Sequence, residues 1–111
     1  MKVLVFGYSD NPDRFSYIAT ELLKNYKHEV VTVNPRNEDE FSKISSDVHT
    51  LTMYVNPQVS DKFQDTLLKM KPKRVIFNPG TENSSLAKKF ETLGAEIVIG
   101  CTLIMLRSNE F

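Results

Sequence analysis

The chain has 111 residues, enough for one compact domain and too few to close a second core, so a single domain over 1–111 is expected. A composition of 41% hydrophobic and 25% charged residues excludes disorder, and 14 basic residues against 14 acidic ones leave no overall field to draw nucleic acid or an anionic membrane. The apolar runs are too short to span a bilayer, no signal-peptide pattern opens the chain, and the lone Cys101 has no disulfide partner, all of which point to a cytoplasmic protein.

In chain order, residues 3–6 form a continuous apolar run ended by Gly7, the pattern of a strand buried on both faces. After the loop 8–13, apolar residues at Phe15, Ile18, Ala19, Leu22, Leu23 and Tyr26 have the three-and-four spacing of an amphipathic helix. A second β-branched run over 29–33 stops at Asn34-Pro35-Arg36. The polar stretch 37–49 reads as loop with one weak helical turn. A third strand over 51–55 halts at Asn56-Pro57, and Ser60 is placed to cap a helix running to Met70. A fourth strand, 74–77, ends at Asn78-Pro79-Gly80, and a short helix over 86–93 closes at Gly94. A fifth strand, 96–99, precedes the apolar tail 101–106, read as a last short helix or an extended cover.

Five strands alternating with crossovers of helix length define an α/β protein: a Rossmann-like, doubly wound parallel sheet with helices on both faces. The order chosen is 3-2-1-4-5. It puts the topological switch point between strands one and four, and the ligand crevice between the loops 7–14 and 78–83.

The first of these loops joins a buried strand to an amphipathic helix, so free amides and the positive end of the helix dipole face the crevice. Gly7 admits close backbone approach, Ser9 supplies a hydroxyl and Arg14 a planar fork for phosphate; the plainer alternative is that Ser9, Asp10 or Asp13 caps the helix and Arg14 is solvated. The three-glycine dinucleotide fingerprint is absent, since only Gly7 is present. Strand two ends in Arg36 where an NAD site has an acid, so a ribose phosphate is the better guest: the 2′ group of NADP or the 3′ group of coenzyme A, which charge alone does not separate. Three strands end in Asn-Pro, either to turn the chain or to face the ligand.

Taken together, Val5-Phe6-Gly7-Tyr8-Ser9-Asp10-Asn11-Pro12-Asp13-Arg14, Val33-Asn34-Pro35-Arg36, Tyr54-Val55-Asn56-Pro57, the segment from Phe77 to Asn83 and Cys101-Thr102 resemble the small stand-alone CoA-binding domain proteins, relatives of the nucleotide-binding domain in the succinyl-CoA synthetase α subunit. The resemblance implies that Gly7, Ser9, Asn11 and Arg14 surround a pyrophosphate, and that Asn34 and Arg36 sit at the adenosine 3′-phosphate. It also implies that Asn56-Pro57 and Asn78-Pro79-Gly80 line the pantetheine path. Tyr8 replaces a small residue of the family, and would narrow the crevice or stack on adenine.

Catalytic machinery is not evident. His28 and His49 fall at the sheet end away from the crevice, no metal-ligand spacing occurs, and Glu82 would need a substrate within reach to act as a base. Cys101 is read first as a small buried hydrophobe, with a thiol near the end of pantetheine as the alternative. The leading function is therefore binding of coenzyme A or an acyl-CoA as a small-molecule ligand. The competing readings are an NADP-binding oxidoreductase-like protein and a regulatory partner with a vestigial pocket. Leu103, Ile104, Met105 and Leu106 make a homodimer through the tail a further expectation.

Overall fold

A computed structural model describes residues 1–111. The chain runs β1 (Lys2–Phe6), α1 (Phe15–Asn25), β2 (Glu29–Val33), a 3-10 turn (Glu38–Lys43), β3 (Thr50–Met53), α2 (Pro57–Lys62), α3 (Gln64–Lys69), β4 (Arg74–Phe77), α4 (Ser84–Thr92), β5 (Glu96–Ile99) and α5 (Thr102–Arg107). No helix is long and apolar enough to cross a membrane.

All five strands are parallel and form one sheet, with helices on both faces, as the alternation of elements predicts. Their order is 2-1-3-4-5, which corrects the expected 3-2-1-4-5: β3 lies between β1 and β4, and β2 is an edge. The alternation Thr50-Leu51-Thr52-Met53 suits a strand with one polar face, yet all four residues are buried. Buried partners satisfy the polar face. Thr50 Oγ1 accepts from Arg74 Nε at 3.1 Å, and Thr52 Oγ1 pairs with Thr102 Oγ1 at 2.8 Å and accepts from Asn78 Nδ2 at 2.7 Å.

The period-two alternation of β1 separates two cores. Leu4 and Phe6 pack with Leu51, Met53, Val75 and Phe77 under the face that carries α3 and α4. Val3 and Val5 pack with Leu23 of α1 and Leu106 of α5 on the other face. Each large side chain so buried contributes roughly 1.5–3 kcal/mol. Because Leu103 and Leu106 belong to this interior and Ile104 is the exposed member of the tail, the four-residue apolar surface behind the homodimer expectation does not exist.

The helix expected from Ser60 to Met70 is two short helices, and its cap lies elsewhere. Asn56 accepts from Val59 N at 3.0 Å and Pro57 takes the first helical position, so Asn-Pro here starts a helix as it ends a strand. Ser60 is fully buried inside α2, where Asn83 Nδ2 donates to its hydroxyl at 2.9 Å.

Asn78 is the polar centre of the sheet's carboxyl edge. Its Nδ2 donates to Thr52 Oγ1 and, at 2.8 Å, to the Met53 carbonyl, while its Oδ1 accepts from Thr102 N at 2.9 Å. One carboxamide thus joins β3, β4 and the start of α5. Removing it orphans several buried groups at once. Asn78→Ala is expected to lower stability by about 2–3 kcal/mol in urea unfolding, and Asn78→Asp, which keeps the acceptor and loses the donor, should fail similarly.

Candidate functional site

With β1 flanked by β2 and β3, the switch point falls between β1 and β3, since the chain leaves β1 toward β2 and returns across it. The loops after these three strands enclose an open cleft of about 1070 Å³, lined by Gly7, Tyr8, Ser9, Asn11, Arg14, Asn34, Pro35, Arg36, Asn37, Glu38, Asp39, Tyr54, Val55, Asn56, Val59, Lys62 and Phe63. A second cleft of about 430 Å³ shares Gly7, Ser9, Arg14, Tyr54, Val55 and Asn56 with it, and continues to Asp13, Phe15, Ser16 and the β4 loop at Pro79, Gly80 and Thr81. The expected loops 7–14 and 78–83 both contribute, but the loops after β2 and β3 build most of the larger cavity.

Gly7 makes this arrangement possible. Its φ of +103° is a left-handed conformation, and a Cβ there would lie 2.7 Å from Val55 Cγ1 and 2.8 Å from the Tyr54 carbonyl carbon and oxygen. The same turn is tied to the other neighbour of β1, because the Gly7 and Tyr8 amides both donate to the Val33 carbonyl, at 2.8 and 3.0 Å.

The loops preform by local side-chain to backbone bonds. Ser9 Oγ accepts from Asn11 N at 3.2 Å, Asn11 Oδ1 from Asp13 N at 3.0 Å, Asn34 Oδ1 from Arg36 N at 2.9 Å, Asn37 Oδ1 from Asp39 N at 3.3 Å and Asn56 Oδ1 from Val59 N at 3.0 Å. These five bonds fix the chemistry that the cleft presents. With each side-chain oxygen occupied by the backbone, the Ser9 hydroxyl hydrogen and the carboxamide NH₂ groups of Asn11, Asn34, Asn37 and Asn56 remain as donors.

Cations add to the donors. Arg14, Arg36 and Lys62 line the larger cleft and take part in no ion pair. The N-terminus of α1 has no side-chain cap and no acid in its first turn, so neither Ser9, Asp10 nor Asp13 plays the capping role considered from the sequence. The Phe15 and Ser16 amides have no intramolecular acceptor, and both residues line the smaller cleft. Glu38 and Asp39 bring negative charge to one stretch of the rim.

Other predicted site residues stand apart. Asn78 lines neither cleft and has its carboxamide committed to the interior, which corrects its assignment to the ligand path. Pro57 likewise lines neither cleft, being the first residue of α2. Cys101 is half-buried at the N-cap position of α5, outside both clefts. Tyr8 stacks on Tyr17 of α1 with centroids 6.3 Å apart, one face of its ring thereby occupied by protein. His28 packs edge-on against Phe111, and His49 Nδ1 bonds Thr50 Oγ1 at 2.8 Å. Burial first, then nearby positive charge, holds both imidazoles below their usual range.

From the sequence, Tyr54 has no role beyond its place in a matching segment, and Lys62 shows no sign of one. The Tyr54 hydroxyl is buried beside Thr102 and Thr52 without making a hydrogen bond to either, and burial pushes its pKa up to about 12, so it stays a neutral phenol. Lys62 lies at the end of α2, six residues beyond Asn56, and only the path of the helix brings it to the cleft.

The parallel sheet with a donor-lined cleft at its switch point defines a doubly wound α/β domain, a class whose ligands bind at that place. The pattern that defines the CoA binding domain family matches residues 1–107, and the chain belongs to that family. Among solved structures it is similar to one titled an uncharacterized protein, with 37% identity, a TM-score of 0.87, and coverage of 99% of this chain and 97% of that one. A Thermus thermophilus protein titled cell-free ID.343 aligns at 17% identity and a TM-score of 0.80 over 99% of this chain and 90% of that one. A hypothetical protein from Pyrococcus horikoshii OT3 aligns at 21% identity and a TM-score of 0.77 over 96% and 81%. These last two likenesses concern the fold alone. No curated protein matches the sequence.

Gly7→Ala is expected to destabilise the protein by at least about 2 kcal/mol, through positive φ and contact with rigid β3 backbone, measurable as an earlier urea midpoint. At Asn56 the two roles of the side chain separate: Asn56→Ala should lose about 1 kcal/mol with the cap, whereas Asn56→Asp keeps the cap and stays within about 0.5 kcal/mol of wild type.

Proposed function

We propose that this protein binds coenzyme A, or an acyl-CoA, in the joined clefts, as a single-domain binding protein whose role does not depend on catalysis by its own side chains. The observation that carries the reading is the gathering of donors and unpaired cations in the larger cleft, where the side-chain oxygens of Ser9, Asn11, Asn34, Asn37 and Asn56 are held by the backbone and Glu38 and Asp39 confine negative charge to one stretch of the rim. Membership of the CoA-binding family supplies the identity of the anion.

In this reading, Gly7, Ser9, Asn11 and Arg14, with the free amides at the start of α1, receive the pyrophosphate. Tyr8, Asn34 and Arg36 lie at the adenosine end, with the 3′-phosphate on Arg36. Asn56, at the junction of the two clefts, directs pantetheine into the smaller one toward Pro79, Gly80 and Thr81. The second cleft favours coenzyme A over NADP, because it gives an extended arm a continuous path away from the adenosine end. A cytoplasmic location agrees with the free thiol of Cys101.

The test is a thermal-shift panel of coenzyme A, acetyl-CoA, dephospho-CoA, NAD and NADP. Coenzyme A at a hundredfold excess over its Kd should stabilise the protein by about 2.7 kcal/mol, roughly 10 °C for a domain of this size. Melting indifferent to coenzyme A, or a larger shift with NADP, would contradict the reading. Arg36→Ala should weaken coenzyme A about tenfold and leave dephospho-CoA nearly unchanged. Asn34→Asp, which keeps the turn and replaces a donor with a carboxylate, should fold normally and lose at least about tenfold in affinity.

A further inference from the structure

We propose that Lys62 is a specificity-determining residue that joins Arg36 in holding the ligand's phosphomonoester, so that two cations from opposite walls of the cleft read one dianion. The proposal rests on the coenzyme A reading above and adds to it the group that makes the protein discriminate coenzyme A from its dephospho form.

Topology places the pair. Phe6 at the end of β1 is in register with Val33 on one side and Met53 on the other, so the chains leaving β2 and β3 are two strand spacings apart, roughly 10 Å. Arg36 rises from the first of these chains and Lys62 from the helix that follows the second. Both are long side chains lining the same cavity.

An aromatic cluster sets that gap. Phe41, from the 3-10 turn after Arg36, meets Phe63 edge-on at 5.0 Å, and both rings pack on Phe6, at 6.3 and 6.2 Å. The turn that follows Arg36 is thereby pinned to the end of α2, beneath the cleft. Lys62 Nζ lies 5.3 Å from the centroid of Phe63, a cation–π contact that holds the ammonium near this floor.

The charges are available. Two neighbouring carboxylates are engaged elsewhere: Glu40 with Lys43 and the Asn34 amide, and Asp61 with Asn83 Nδ2 at 2.8 Å. Glu38 and Asp39 line the same cleft unpaired and offset part of its positive charge, so a dianion there gains from a second cation beside Arg36. A phosphomonoester and a pyrophosphate diester each carry about two negative charges at neutral pH; at the pyrophosphate the free Phe15 and Ser16 amides add to Arg14, whereas Arg36 alone would leave one charge of the phosphomonoester uncompensated.

Isothermal titration of wild type, Arg36→Ala, Lys62→Ala and Lys62→Arg with coenzyme A and with dephospho-CoA tests the assignment. Lys62 is exposed, so unliganded melting temperatures should match. Lys62→Ala is expected to lose about five- to tenfold in affinity for coenzyme A and less than about twofold for dephospho-CoA, with Lys62→Arg restoring most of the loss. An equal loss with both ligands, or no loss with either, would overturn the proposal. Should wild type bind the two ligands equally, no residue reads the phosphomonoester and the proposal fails while coenzyme A binding stands. Should wild type bind neither, both fall together.

Discussion

The site depends on one repeated hydrogen bond, in which a short polar side chain turns its oxygen back to a backbone amide two or three residues ahead. Ser9, Asn11, Asn34, Asn37 and Asn56 all make it. In each case the bond shapes a turn or caps a helix, and in the same step it orients the remaining hydrogens outward. A neutral side chain able to accept or donate becomes, in place, a donor. The turns and the outward donors therefore come from the same atoms, and a net charge of zero is no obstacle to a cleft rich in donors.

The sheet order determines where those donors converge. Placing β3 beside β1 brings the Asn34 and Asn56 loops to either side of Gly7, and the missing Cβ of Gly7 lets the β1 loop sit directly on the Tyr54 backbone. A larger residue there would push the β1 and β3 loops apart and separate the two clefts that share this floor. Asn78 works beneath the same edge in the opposite sense, with donor and acceptor both satisfied by buried groups, and it holds β3, β4 and α5 together. The asparagines of the three Asn-Pro dipeptides thus divide into two, Asn34 and Asn56, that line the cleft and one, Asn78, that is committed to the core.

That division shows what was legible in the sequence and what was not. Strand positions, the helix beginning at Phe15, the parallel class and the switch-point location of Gly7, Ser9, Asn11 and Arg14 follow from periodicity and punctuation, which are local. The place of β3 depends on partners 24 to 50 residues away, because Thr50 and Thr52 are tolerated in a central strand only when Arg74, Asn78 and Thr102 satisfy them. The two roles of Asn-Pro cannot be separated from the dipeptide itself. Lys62 lacks a local signal altogether, since one lysine at the end of a short helix is ordinary until the fold brings it to the cleft that Arg36 also lines.

The most direct test follows the side-chain NH₂ resonances in a ¹⁵N-resolved NMR titration with coenzyme A. Large shifts are expected for Asn34 and Asn56, which line the cleft, and a nearly stationary signal for Asn78. Saturable shifts that spare Asn34 and Asn56, or that centre on Asn78, would contradict this expectation.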